Sequence, residues 1–344
     1  MHAKKYERMI EKTDRGSIEY IDTIGFVADS GGRGFSIPVD MTFGQSGRIY
    51  VVNRSPVQYL GIRVSVCDID HGWYGEFGSY GTADGQFSSP SSIAYGPGDR
   101  IYVADEELNR VTVFTAEGEF VSKWGQQGNG DGQLHGPSAL KFNKYDELLV
   151  VDHRNSRVQT MTCDGDYISQ FGSAGSSEGQ FDLPWGLDVD QEGRIYVADW
   201  RNDRIQRFTA EGEFIETFGT SGDGVNEFHR PSDVAVDEMG LIYVTDWGNQ
   251  RVQIFDNNWE LRGSLRGQAT LSKWSSEYID ANEDELRARS SFDPYVDVGT
   301  AAAHEASAKI EPYFWDPIAV EIDSKGRAFV VDSLRHRLQI FRAN

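Results

Sequence analysis

Through most of the chain, short alternating or apolar runs are separated by polar stretches that carry glycine, aspartate or asparagine. The clearest instance runs from residue 187 to residue 219. Residues 187–190 alternate, 191–194 hold a glycine turn, and Ile195–Asp199 reads IYVAD. A polar loop at 200–203 leads to Arg204–Phe208, and a second glycine turn at 209–213 leads to Phe214–Phe218, which alternates again. Runs of this length with a period of two, bounded by turn formers, predict strands, and glycine turns this short join them as hairpins. The segment therefore predicts four antiparallel strands, a sheet too small to be stable without neighbours.

The neighbours come from repetition. Pro184, which leads that segment, recurs as Pro90, Pro137 and Pro231 at a constant spacing of 47 residues. Looser copies begin at Pro38, 52 residues before Pro90, and at Pro317, 86 residues after Pro231. Six four-stranded units of about 40 to 50 residues predict an all-β, six-bladed β-propeller. The last copy stops after its third strand, at residues 337–341. Residues 19–25 match residues 213–219 position for position, so residues 17–25 are expected to complete blade 6 and close the ring without an open edge. Residues 1–16 form an N-terminal extension and 17–344 the propeller.

Residues 263–316, between blades 5 and 6, depart from the pattern. Asp280 and Glu283 read as a capping-box pair ahead of a helix at 284–289, and Thr300 precedes helix formers at 301–309. The aromatic residues around them predict burial. This partly helical insertion is expected to fold over the channel mouth as a lid and to add Tyr295, Tyr313, Phe314 or Trp315 to a pocket wall. A docking surface for a protein partner is the competing reading.

Composition narrows the function. Of the 344 residues, 54 are acidic and 33 basic, a formal charge of −21, so a nucleic-acid backbone would be repelled and no nucleic-acid partner is expected. Residues 1–16 hold no apolar run of about 7 to 15 residues, and nowhere do about 18 apolar residues follow one another, so the expectation is a cytoplasmic protein without a membrane partner. The two cysteines, Cys67 and Cys163, fall in different, non-adjacent repeats and predict no disulfide.

The IYVAD strand, the Asp-x-x-Asn-x-Arg-Val/Ile loop and the Gly-Gln-Phe-x-x-Pro junction resemble the NHL-repeat family of six-bladed β-propellers. The resemblance spans about residues 17 to 344 except the insertion. It implies the propeller fold, and a range of activities that includes lyases and binding scaffolds. In a lyase of this kind, zinc-binding histidines directly follow the first-strand prolines. Here those positions are Val39, Ser91, Ser138, Trp185, Ser232 and Ile318, so that zinc centre is not expected. The same resemblance puts a calcium-binding carboxylate two residues after proline, where Asp40 and Asp233 stand, and strand-start carbonyls would complete a hard-cation shell. Their competing role is to cap neighbouring amides. A divalent metal in the channel, calcium-like or zinc held by His135, His229 and His153, is the cofactor these positions allow.

Comparing the copies with one another separates scaffold from site. The second-strand Asp105, Asp152, Asp199, Asp246 and Asp332, with Asn53 in blade 1, recur, as do Arg110, Arg157, Arg204, Arg251 and Arg337. A residue that every blade carries answers a demand that every blade makes. The positions just after each aspartate differ: Arg54, Glu106 and Glu107, His153 and Arg154, Trp200 and Arg201, Trp247, and Ser333 with Leu334. With Trp185, Ser232 and Trp315 they predict a ligand site of aromatic walls and a few charges at the channel mouth. Arg54, Arg154 and Arg201 would hold an anionic group, and His153 or Glu106 would serve as acid or base with Arg154 beside them. The expected function is to handle a small ligand at this mouth, as a binder or as a lyase- or hydrolase-like enzyme. The alternative is a protein-interaction scaffold.

Overall fold

The computed structural model describes residues 18–55, 59–296, 298–299 and 302–343. The N-terminal extension 1–16, Ser17, Thr300 and Ala301 lie outside the described residues. Each repeat folds into a four-stranded antiparallel blade. Blade 2 shows the plan: Pro90–Gly96 innermost, then Arg100–Asp105, Arg110–Thr115 and the outer Phe120–Trp124. Blade 6 takes Pro317–Ile322, Arg327–Asp332 and Arg337–Ala343 from the C-terminal end and Ile18–Gly25 as its outer strand, so the ring closes as expected.

The strands form because their side chains alternate between the two faces of each blade, and both faces are buried against the neighbouring blades. Among the described residues six apolar clusters result, one in each seam. Between blades 1 and 2, Tyr50, Val52 and Val64 meet Phe87, Val103 and Phe114. Between blades 4 and 5, Tyr196 and Ile205 meet Phe228, Val244 and Phe255. In blades 1, 2, 3, 5 and 6 the leading proline pairs with the last residue of the second strand, as in Pro90↔Asp105, and a bulge follows it. Blade 4 enters its inner strand only at Leu187, so Pro184, Trp185 and Gly186 stand as irregular chain at the channel.

The insertion carries helices at Lys273–Asp280, Glu283–Ser290 and Ala303–Lys309. The first was not expected from the pattern. It starts at Ser272, whose Oγ accepts the Ser275 N–H at 3.1 Å, and it buries Trp274 in the seam between blades 6 and 1. The second starts after Asn282 rather than at the Asp280 and Glu283 box, because Asp280 is the last residue of the first helix. Among the described residues no helix is long and apolar enough to cross a membrane.

Candidate functional site

Four of the second-strand aspartates are hubs built alike. Asp152, Asp199, Asp246 and Asp332 are fully buried, and each Oδ1 accepts the N–H of the residue 17 positions earlier, at 2.6 to 2.8 Å. Each Oδ2 accepts the Nε of the arginine five residues on and the Nε2 of the glutamine two further, as in Arg204 and Gln206 on Asp199. The far end of each guanidinium donates to junction carbonyls 24 to 27 residues earlier. Such a hub satisfies a buried charge from several sides and ties each mouth loop to the preceding junction. The repeated aspartates and arginines are thus scaffold, and they fix where the variable residues after them point. The glutamines recur at constant spacing and belong to the same hub, a signal not used in reading the sequence.

The variable residues frame a cleft of about 410 Å³ at the channel mouth, lined by Ile37, Val39, Arg54, Trp185, Trp200, Ser232, Trp247, Asp316, Ile318, Ser333 and Leu334. Trp200 and Trp247 begin equivalent short turns in blades 4 and 5, and their rings lie 6.4 Å apart at 44°. Arg230 stacks on Trp200 with 4.7 Å from guanidinium carbon to ring centre. Trp185 is braced edge-on by His153, 5.0 Å away at 83°. Aliphatic groups of blades 1 and 6 face this aromatic side across the mouth. The cleft is therefore an apolar chamber of small-ligand size with two charged side chains in its lining.

Seven expected site residues, Arg54, Trp185, Trp200, Trp247, Ser232, Ser333 and Leu334, line the cleft together, and six do not. Glu106 sits behind Arg54: Arg154 Nη2 donates to its Oε1 at 2.6 Å, and Arg54 Nη2 lies 2.8 Å from its Oε2 as an ion pair. His153 is buried, its Nδ1 is 3.2 Å from the Pro184 carbonyl, and burial lowers its pKa, which favours the neutral ring. Glu107 is exposed. Arg201 is exposed on the rim, 3.9 Å from Asp182. Trp315 stands outside the lining, with its ring under Arg335 and its Nε1 3.4 Å from His304 Nε2. The insertion gives the lining Asp316 alone, not the expected aromatic wall. Phe314 is buried in the seam of blades 5 and 6, and Tyr313 lies beneath Arg266.

Deeper in the channel Asp40 and Asp233, the expected hard-cation carboxylates, line one small cavity. Asp40 Oδ2 accepts from Ser92 Oγ at 2.7 Å and from the Ile93 N–H at 2.9 Å, and Asp233 Oδ2 accepts the Val320 N–H at 3.0 Å. Both carboxylates clasp the next blade. Among the described residues no three His, Cys, Asp or Glu side chains group so as to hold a metal, His135, His229 and His153 included. Burial raises Asp40 to about 6. Burial and the nearby Asp40 charge raise Asp233 well above the carboxylate range. Lys141 sits between Asp188, at 2.8 Å, and Glu321, at 3.1 Å. Burial opposes its charge, and the two carboxylates outweigh that and hold its pKa up.

Two lining residues, Ile37 and Asp316, escape sequence reading. Both directly precede a first-strand proline and adopt left-handed backbone, with φ of 48° and 59°. The signal was present, since the position before each proline varies between copies like the mouth loops.

Family models match three parts of the chain. The NHL repeat matches residues 181–208 and 228–255, and a family described as a 6-bladed beta-propeller matches residues 82–170. No curated protein matches the sequence. Solved structures similar to the chain include a streptogramin B lyase, at 12% identity over 96% of this chain and 99% of that one, with a TM-score of 0.57. They also include a virginiamycin B lyase from Staphylococcus aureus, at 12% identity over 95% and 99%, TM-score 0.57. A third is a protein of unknown function from Bacteroides thetaiotaomicron, at 18% identity over 96% and 76%, TM-score 0.61. At these identities the likeness shows the fold.

Proposed function

Starting from a chain that is a six-bladed β-propeller carrying NHL repeats, we propose that it binds a small, largely apolar molecule in the cleft at the channel mouth. The observation that carries this reading is the convergence of Trp185, Trp200 and Trp247 on a chamber of about 410 Å³. Three indoles at a channel mouth exceed what blade packing requires, since the seams are filled by other residues. The reading is of a binder: Glu106 pairs with both Arg54 and Arg154, and His153 braces Trp185, so the groups first considered for acid or base chemistry support the cleft wall.

The test is a thermal-shift screen of small aromatic and aliphatic molecules on the intact chain. A ligand that binds only the folded state raises Tm as its concentration rises, by about 2.7 kcal/mol of stabilisation at a hundredfold excess over Kd. The Trp200→Ala variant is expected to lose most of that shift while melting within a few degrees of the parent. Ligand shifts that persist in Trp200→Ala and Trp247→Ala would take binding out of this cleft.

A protein-interaction role is the second reading, and it rests on the insertion, where Tyr278, Leu286, Phe292 and Val296 are exposed. Apolar side chains gathered on one segment suit a partner's surface. A cytoplasmic location belongs to the same proposal and is supported by two free cysteines, Cys67 buried and Cys163 half-buried.

A further inference from the structure

We propose that the cleft selects flat, apolar molecules that carry one anionic group, with Arg54 receiving the charge. The proposal rests on the cleft being a small-molecule site and adds what kind of molecule it takes.

The arginines of the fold differ sharply in how their donors are used. Arg157, Arg204, Arg251 and Arg337 each give Nε to an aspartate and the far end of the guanidinium to junction carbonyls. Arg110 gives its far nitrogens to the carbonyls of Thr82, Ala83 and Gln86. Arg54 does neither. Among the described residues its guanidinium meets Glu106 alone, through Nη2, and its side chain is 32% exposed. A guanidinium carries five N–H donors in a planar fork, so most of this one faces the cleft unspent. It is also the one cationic side chain in the lining.

Local charge favours the same outcome. Glu106 is shared between Arg54 and Arg154, so the three groups keep one surplus positive charge beside the cleft. The carboxylate in the lining, Asp316, is already served by protein donors. Gln250 Nε2 donates to its Oδ1 at 3.1 Å, the Trp247 side chain donates to it, and His304 Nε2 lies 3.6 Å away. Its side chain is 18% exposed, against 32% for Arg54. An anion at Arg54 gains charge-assisted hydrogen bonds in an apolar surrounding, and a flat ring beside it gains the Trp200 and Trp247 faces. The surrounding protein is acidic, so this is a local positive site within a repelling field, and its selectivity comes from contact at short range.

The test is calorimetric titration of the intact chain at neutral pH with three matched probes: 2-naphthoate, 2-naphthylmethanol and 2-naphthylmethylammonium. Naphthoate is expected to bind about tenfold more tightly than the alcohol, and the ammonium more weakly than either. Arg54→Gln should bring naphthoate to the level of the alcohol, and a Tm within a few degrees of the parent's shows that the variant is folded. Glu106→Gln frees Arg54 and should raise naphthoate affinity above the parent's. Three probes of equal affinity, or a preference for the ammonium, would overturn the charge selection and leave the cleft as a small-molecule site. Binding of none of the three would overturn both.

Discussion

A single exchange in blade 1 shows how the residue-level code works. Where four blades carry the aspartate hub, blade 1 has Asn53, which keeps the acceptor for the Ser36 N–H at 2.8 Å but has no charge to offer an arginine. Arg63, at the start of the third strand, therefore pairs with Glu76 on the outer strand at 2.7 Å. The buried guanidinium finds its counter-charge elsewhere, as it must. This separates scaffold from site in a measurable way. Asp199→Ala removes the acceptor of four hydrogen bonds and strands Arg204, so it is expected to lower stability by about 3–5 kcal/mol in urea unfolding. Arg54→Gln, which breaks one partly exposed ion pair, is expected to stay within about 0.5 kcal/mol. Equal losses in the two variants would erase the distinction.

At the scale of elements, the insertion is an anchored structure with one part at the site. Trp274 is buried between Phe35 and Trp73, and its Nε1 donates to the His71 carbonyl at 2.9 Å. Trp274→Ala is expected to cost about 3–5 kcal/mol, read from the urea midpoint. A loss below about 1 kcal/mol would mean that the helix Lys273–Asp280 is dispensable to the ring and free to move as a lid. The helix Ala303–Lys309 is held differently. Arg335 occupies the place that Asn155, Asn202 and Asn249 hold in other blades. Those asparagines donate to a junction carbonyl, and the longer arginine reaches the carbonyls of Ser307, Ala308 and Ile310 at the helix end. Cationic donors suit a helix C-terminus, whose last carbonyls lack partners. His304 of this helix and the adjoining Asp316 bring the insertion to the cleft edge.

At the scale of the whole molecule, the inner strands of most blades send ionisable groups into the channel: Asp40, Lys141, Asp188, Asp233 and Glu321. One ammonium faces four carboxylates. Burial raises Asp40 to about 6 and Glu321 to about 7, and Asp233 is raised further by the Asp40 charge. Carboxyls that hold protons more tightly in the folded than in the unfolded state stabilise the fold most at low pH. That stability is lost as pH rises from the unfolded values near 4 through the folded ones. In about 0.5 M salt, which screens the overall charge, the protein is expected to gain on the order of 2 kcal/mol between about pH 7.5 and pH 5. Asp233→Asn should be more stable than the parent at neutral pH and show a shallower slope. The lowered carboxyls Asp68 and Asp256 lose their contribution only at more acid pH. His153 and His336, whose pKa burial lowers, work against this gain over the same range, so the deciding comparison is between variants: a slope in Asp233→Asn equal to the parent's would contradict the raised Asp233.

Repetition makes the fold legible in the chain itself. Constant spacing, alternation and the match of residues 19–25 to 213–219 report on what every blade needs, so blade count, strand order and ring closure followed from the chain itself. Repetition likewise marked Asp199 and Arg204 as scaffold and the position after the aspartate as variable, which led to Arg54, Trp200 and Trp247. It could not say which variable residues meet, because that depends on how far each side chain reaches across the mouth and on what else attracts it. Glu106 and Arg154 turned to each other, the Trp315 ring settled against Arg335 and His304, and Asp40 and Asp233 found amides on the next blade. Nor did any pattern foretell the burial of Trp274 in a seam formed by residues far from it in the chain. Local sequence periodicity determined the blades, and competition for partners between blades, which exists only once the ring has closed, decided the cleft.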